Sequence, residues 1–201
     1  FVEINCGLMT QDKLDQKLWG WEKGSFTGSV DSHDGLIKKA EGGTLFLDEI
    51  DNTTSDVRYA LLTFIETKQY YVLGDDKTQT ADVKLLFGSN KDLRSYVSKG
   101  KFEGDFYTRM AGRIIKVPPL RERVEDIDYL IDHFLSEFNK QSKTCISIDI
   151  PARKYLLTYS WPWNTRELHK TIRFSFLEAK AEGESIITKE KVELFAHFLQ
   201  E

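Results

Sequence analysis

Four short apolar runs, Phe1–Asn5, Thr44–Asp48, Val83–Gly88 and Arg113–Val117, recur through the first part of the chain, each bounded by turn or polar residues. Between them lie stretches with helical spacing, around Asp12–Trp19 and over Thr54–Glu66, where Val57, Ala60, Leu61, Phe64 and Ile65 form one stripe. Apolar strands alternating with helices are the pattern of a parallel α/β sheet. After Pro118-Pro119 the strand signal stops. Ile127, Leu130, Ile131, Phe134, Leu135 and Phe138 then recur at three and four residues, which predicts a strongly amphipathic helix. Helical patterns follow at Ile150–Tyr159, Thr165–Ala181 and Thr188–Gln200. The sequence thus predicts an α/β part over 1–120 and a small all-helical part over 121–201, with no internal repeat.

Composition narrows the classes. The chain has 201 residues, 40% apolar and 12% aromatic, which excludes a disordered chain and leaves room for one core domain plus a smaller attachment. No run of about 18 apolar residues occurs and the start is not basic then apolar, so neither a membrane span nor a signal peptide is expected. Cys6 and Cys145 are too few for a disulfide scaffold and fit a reducing cytosol. With 28 basic against 32 acidic residues the net charge is −4, whereas chains that live by phosphate-backbone contacts are usually basic. Direct binding of DNA is therefore not expected.

Chemistry concentrates where apolar runs end. Thr44-Leu-Phe-Leu-Asp48-Glu49 closes on two adjacent acids, and ligands bind at the carboxyl ends of strands in open α/β sheets. The first acid can hold Mg²⁺ and the second can polarise a water for attack on a phosphate. The alternative is two solvated acids that cap the next helix. The third run ends in Gly-Ser-Asn90, an amide that could orient a water or touch a terminal phosphate, and Asn5 closes the first run. Either asparagine alone reads as a cap or turn residue. Gly24–Ser29 holds an apolar Phe26 between glycines, and Leu73–Asp82 is a polar stretch directly before a strand. Loops of this kind are functional or hairpin tips, and for the first the alternative is a turn that returns Phe26 to the core.

These residues carry a resemblance. Gly20-Trp-Glu-Lys-Gly-Ser-Phe-Thr-Gly-Ser29 and Ala40-Glu-Gly-Gly-Thr-Leu-Phe-Leu-Asp-Glu-Ile50 resemble the AAA+ ATPase domain of bacterial enhancer-binding proteins, the sigma-54-dependent transcription activators. The likeness continues through Gly100–Arg109 and Val117–Arg123 to Trp161-Pro-Trp-Asn-Thr-Arg-Glu-Leu168, five motifs in family order. It implies a P-loop-type parallel sheet flanked by helices, followed by a helical lid.

The resemblance also implies roles. Gly24, Ser25, Phe26, Thr27, Gly28 and Ser29 would form the loop that contacts sigma-54, with Phe26 and Thr27 making the contact and serines at the family's two alanine positions. Asp48 and Glu49 would be the Walker B pair, Asp48 for Mg²⁺ and Glu49 for the attacking water. Asn5 would hold Glu49 off until the loop engages. Asn90 would sense the γ-phosphate of ATP, Arg166 would reach the nucleotide from the lid, and Arg109 would enter a neighbouring subunit's site. Leu73–Asp82 would be a second pore-facing hairpin. For Arg109 and Arg166 an ordinary surface salt bridge is the alternative. The implied partners are the sigma-54 RNA polymerase holoenzyme and further copies in a hexameric or heptameric ring, and the implied location is the bacterial cytoplasm.

Three features depart from the family. Glu103 stands where a second arginine is usual, Trp163 replaces a glycine whose freedom of backbone angle a tryptophan lacks, and Thr165 replaces an aliphatic residue. No Gly-x-x-x-x-Gly-Lys-[Ser/Thr] occurs in these 201 residues. That loop cradles phosphates with backbone N–H groups and a lysine, so these residues alone are expected to bind ATP poorly. In the family the loop and its strand precede the position of Phe1, and the expectation is a chain that starts late in a longer protein. The function expected is ATP-driven remodelling of a sigma-54 promoter complex. A non-hydrolysing assembly module and another AAA+ remodeller are the alternatives.

Overall fold

The computed structural model describes residues 1–198. The chain divides into two units, Phe1–Ile114 and Ile115–Glu201. The first begins with β1 (Val2–Asn5), α1 (Gln11–Trp19), the paired strands β2 (Gly20–Trp21) and β3 (His33–Asp34), and α2 (Leu36–Lys39). It continues through β4 (Thr44–Asp48), α3 (Ser55–Thr67), the hairpin of β5 (Gln69–Tyr71) and β6 (Thr78–Thr80), β7 (Lys84–Phe87), α4 (Leu93–Ser98) and α5 (Gly104–Met110).

Three of the four apolar runs pair as a parallel sheet in the order β1-β4-β7. The register sets Asn5 opposite Asp48 and Leu47 opposite Phe87, so all three strands finish at one edge. Leu45 and Leu47 point to one face and are fully buried. Against that side pack Leu14 and Leu18 of α1 and Val57, Leu61 and Phe64 of α3, the buried stripe that the periodicity predicts. A fully buried side chain of this size contributes roughly 1.5–3 kcal/mol, which is why these helices hold to the sheet. The helices stop where the backbone turns left-handed, at Gly20 (φ 82°) after α1 and Lys68 (φ 59°) after α3.

The fourth run corrects the sequence reading. Arg113–Val117 forms no strand, and Ile114, Ile115 and Val117 are 66%, 77% and 74% exposed. A strand exists only through its ladder, and among the described residues none lies beside this segment or along the free edge of β7. Apolar content made the run look like a strand, but only a neighbour could make it one.

The second unit holds α6 (Val124–Ser142), β8 (Ser147–Ile148), α7 (Ile150–Thr158), α8 (Asn164–Ala181), β9 (Ile186–Ile187) and α9 (Lys189–Phe198). Among its described residues the regular structure is helical except for the two-residue parallel pair β8–β9. Ile127, Ile131, Phe134, Leu135 and Phe138 of α6 meet Leu168, Ile172 and Phe176 of α8 around the buried Trp161, whose indole donates to the Leu156 carbonyl at 2.9 Å. Residues 199–200 of the helix predicted over Thr188–Gln200 lie outside the described residues.

Candidate nucleotide and loop site

The carboxyl edge of the sheet gathers three of the predicted residues. Asn5 donates from Nδ2 to Glu49 Oε1 at 3.2 Å and to Asp48 Oδ2 at 3.5 Å, while its Oδ1 accepts from the Gly7 backbone at 2.9 Å. That last bond fixes the amide so that its donor side faces the acids. Asp48 Oδ1 accepts from the Glu49 backbone at 3.0 Å. Glu49 sits in the left-handed region (φ 55°, ψ 45°), uncommon for a residue with a side chain and frequent where function holds strain. Asn52, in the 3-10 turn over Ile50–Asn52, donates to Glu49 Oε2 at 2.8 Å. A Cβ at residue 7 would lie 2.2 Å from Glu49 Oε2, so any other residue there would push the Glu49 carboxylate from this position. Beneath the acids, burial together with Asp48, Glu49 and Asp51 pushes the Cys6 thiol up to about 12, which makes it a packing residue and no nucleophile. Asn90 follows β7 by three residues on the same edge and is exposed. Among the described residues no three His, Cys, Asp or Glu cluster as a metal cage.

Gly24–Ser29 forms a closed loop at the end of β2. Gly24 (φ 83°) and Gly28 (φ 102°) adopt angles that favour glycine. The Ser29 hydroxyl is buried, accepts from the Phe26 backbone N–H at 3.1 Å and donates to the Phe26 carbonyl at 2.8 Å. Phe26 is half-buried and does not enter the core. It rests edge-to-face on Trp21 at 5.8 Å, and Trp21 in turn stacks on His33 at 4.6 Å. The hairpin predicted over Leu73–Asp82 begins earlier, with β5: its strands pair Gln69 with Thr80 and Tyr71 with Thr78, so the predicted stretch holds only the turn and the second strand. The two loops are stitched at their bases: Glu22 donates to the Leu73 carbonyl at 2.9 Å and Leu73 to that of Gly20 at 3.1 Å.

Arg109 on α5 is largely exposed and pairs with Glu66 of α3 at 2.9 Å. Glu103 precedes that helix and is gripped by Arg58 of α3, which contacts both carboxylate oxygens and stacks over the Phe102 ring at 4.8 Å. Arg58 also donates to the Thr53 carbonyl, and its side chain is only 8% exposed. Its guanidinium holds the Glu103 carboxyl below the usual carboxylate range.

In the second unit Arg166 lies exposed in the first turn of α8, with no ion pair among the described residues. Trp163 before it has φ −99° and ψ 17°, a conformation open to any residue, so the expected conflict with the absent glycine does not arise. The positive angles fall instead on Trp161 and Asn164, and Asn164 Oδ1 accepts from the Leu120 backbone at 2.7 Å. The sequence reading gives Asn52, Arg58 and Trp21 no role and places Ser29 in the loop without its bonds to Phe26, since each acts through a partner that no local pattern marks.

The chain matches the model of the sigma-54 interaction domain over residues 1–116 and that of the AAA+ ATPase lid domain over 121–200. The chain belongs to the sigma-54 interaction domain family. The chain is 40% identical over 173 residues to the phenol regulator MopR of Acinetobacter guillouiae, covering 86% of the chain and 31% of MopR. With a Nif-specific regulatory protein of Azotobacter vinelandii it shares 34% over 194 residues, 96% of the chain and 37% of that protein. The domain thus spans about a third of the curated relatives it matches. Its fold superimposes on Brucella abortus NtrX in complex with ATP with a TM-score of 0.83 at 24% identity, covering 95% of this chain and 42% of the other. Its two matched segments are thus a sigma-54 interaction domain and an AAA+ ATPase lid domain, and its fold is that of the NtrX structure. Among the described residues no helix of this domain is long and apolar enough to cross a membrane.

Proposed function

We propose that the domain is the remodelling motor of a sigma-54-dependent activator, in which ATP hydrolysis at the carboxyl edge of the sheet drives the Phe26 loop against sigma-54 in a promoter complex. The observation that carries this is the convergence of Asn5, Asp48 and Glu49 at one edge, with Glu49 restrained and the Phe26 loop closed on itself. A carboxylate at Asp48, at the carboxyl end of its strand, suits Mg²⁺, which is commonly held by one or two carboxylates together with phosphates and waters. Bound there, Mg²⁺ would neutralise charge on the phosphates of ATP.

The chain's own residues do the rest. A Glu49 carboxylate oxygen takes the proton of the water that attacks the γ-phosphorus, once Asn5 releases it. Asn90 faces the terminal phosphate, Arg166 approaches the nucleotide from the lid, and Arg109 leaves Glu66 to reach the site of the next subunit in a hexameric or heptameric ring. Glu103 is neutralised by Arg58 within its own subunit, so its reversed charge is not left bare beside a neighbour's triphosphate. Phe26 and Thr27, at the tip of Gly24–Ser29, meet sigma-54. We assign the core to 1–120, the lid to 121–201 and the place of action to the bacterial cytoplasm.

In the complete protein, Glu49→Gln should keep nucleotide binding while turnover falls by about 100-fold or more, the usual weight of a general base. Asp48→Ala should weaken binding of the Mg²⁺ nucleotide itself. Turnover in Glu49→Gln equal to wild type overturns the reading.

A further inference from the structure

Glu49 is restrained from two sides, and only one side is accounted for by Asn5. The second amide comes from Asn52, whose Nδ2 reaches Glu49 Oε2 at 2.8 Å, closer than the 3.2 Å from Asn5 to Oε1. The two donors take one carboxylate oxygen each. Asn52 is itself fixed: its carbonyl accepts from Gln11 Nε2 at 3.2 Å, and Gln11 Oε1 accepts from the Thr54 backbone at 3.0 Å. Gln11 opens α1, so that helix anchors the turn that carries Asn52. Gly7 leaves the room in which both meet, since a Cβ there would fall 2.2 Å from Glu49 Oε2 and 2.8 Å from Asn52 Nδ2.

We propose that Asn52 is a positioning residue, the second arm of a clamp that keeps the Glu49 carboxylate turned from the attacking water until the site is engaged. This rests on the ATPase reading above. A carboxylate with a donor on each oxygen leaves its resting place only if both bonds break, and hydrogen bonds to charged groups are the stronger kind. Asn5 belongs to β1 and Asn52 to the turn after β4, so release needs a shift on both sides of Glu49.

Two measurements on the complete protein test this. With selective ¹⁵N-asparagine labelling, Glu49→Ala should move the side-chain amide signals of both Asn5 and Asn52. A signal of Asn52 that stays put overturns the clamp, whether or not the protein hydrolyses ATP, which separates this failure from that of the ATPase reading. In turnover without sigma-54, Asn52→Ala should raise kcat by about three- to tenfold with KM unchanged, as loosening one hydrogen bond allows. Asn52→Leu, of similar shape but with neither donor nor charge, should do likewise, which excludes lost packing as the cause. A kcat in both variants at or below wild type would show that Asn52 does not restrain Glu49.

Discussion

Asn5 lies directly opposite Asp48 in the parallel pairing of β1 and β4, and its amide crosses to the next residue's carboxylate, Glu49, at 3.2 Å. The pairing explains why one amide can restrain a base. Strands about 4.8 Å apart bring a side chain at one strand end within reach of its neighbour's, and the turn after Asp48 folds Glu49 back toward it. What holds Glu49 is therefore set by sheet register and not by the two acids alone.

Arg109 pairs with Glu66 on a helix of its own subunit through an exposed contact, and such contacts contribute about 0–1 kcal/mol. Exchanging it for a partner in a neighbouring site is thus inexpensive. Arg109→Ala should leave folding intact and abolish turnover in the assembled ring, where an arginine finger can contribute 10³–10⁵ in rate. Mixing Arg109→Ala with Glu49→Gln subunits should restore part of the activity, measured as turnover against mixing ratio. No recovery at any ratio would argue that the arginine works within one subunit.

The Arg58–Glu103 pair is of a different kind, because Arg58 is nearly buried and α5 hangs on it. Glu103→Ala should cost about 2–4 kcal/mol by leaving that guanidinium short of its partner, whereas Glu66→Ala should cost under about 1 kcal/mol. The sign of the pH dependence follows from the lowered Glu103 carboxyl. Its contribution is complete above the unfolded value of about 4.3 and is lost as pH falls from there through the folded value. The gap between wild type and Glu103→Gln in denaturant unfolding should therefore narrow steadily as pH falls below about 4.3. A gap that widens in acid would contradict the pair.

Ser29→Ala removes the one hydroxyl that bonds both backbone groups of Phe26, even though alanine is the usual family residue at that position. It should cost about 1 kcal/mol and raise the rate of amide exchange at Phe26. Ser25→Ala should leave both nearly unchanged. Equal protection at Phe26 in the two variants would mean that Ser29 does not close the loop.

Much of this was legible in the sequence for a physical reason: burial writes periodicity. The stripes Val57–Leu61–Phe64 and Ile127–Ile131–Phe134–Phe138 and the runs ending at Asn5 and Asp48 are local patterns, and they fold as read. Arg113–Val117 misled because pairing is not local. Trp163 misled because the positive φ angles fall on residues beside it, Trp161 and Asn164. Arg58 with Glu103, 45 residues apart, and Trp21 beneath Phe26 depend on which surfaces meet, and no spacing rule encodes that.

The central claim, that the Phe26 loop is the output of the motor, is tested most directly by one variant with two readouts. Phe26 is half-buried on Trp21 and lies outside the core, so Phe26→Ala should cost only about 1 kcal/mol, not the 3–5 kcal/mol of a core phenylalanine. Melting stability and open-complex formation with sigma-54 polymerase should be measured on the same complete protein. The account predicts near-native stability and ATP turnover, with binding to sigma-54 and open complexes abolished. A loss of 3–5 kcal/mol with sigma-54 binding unimpaired would contradict it.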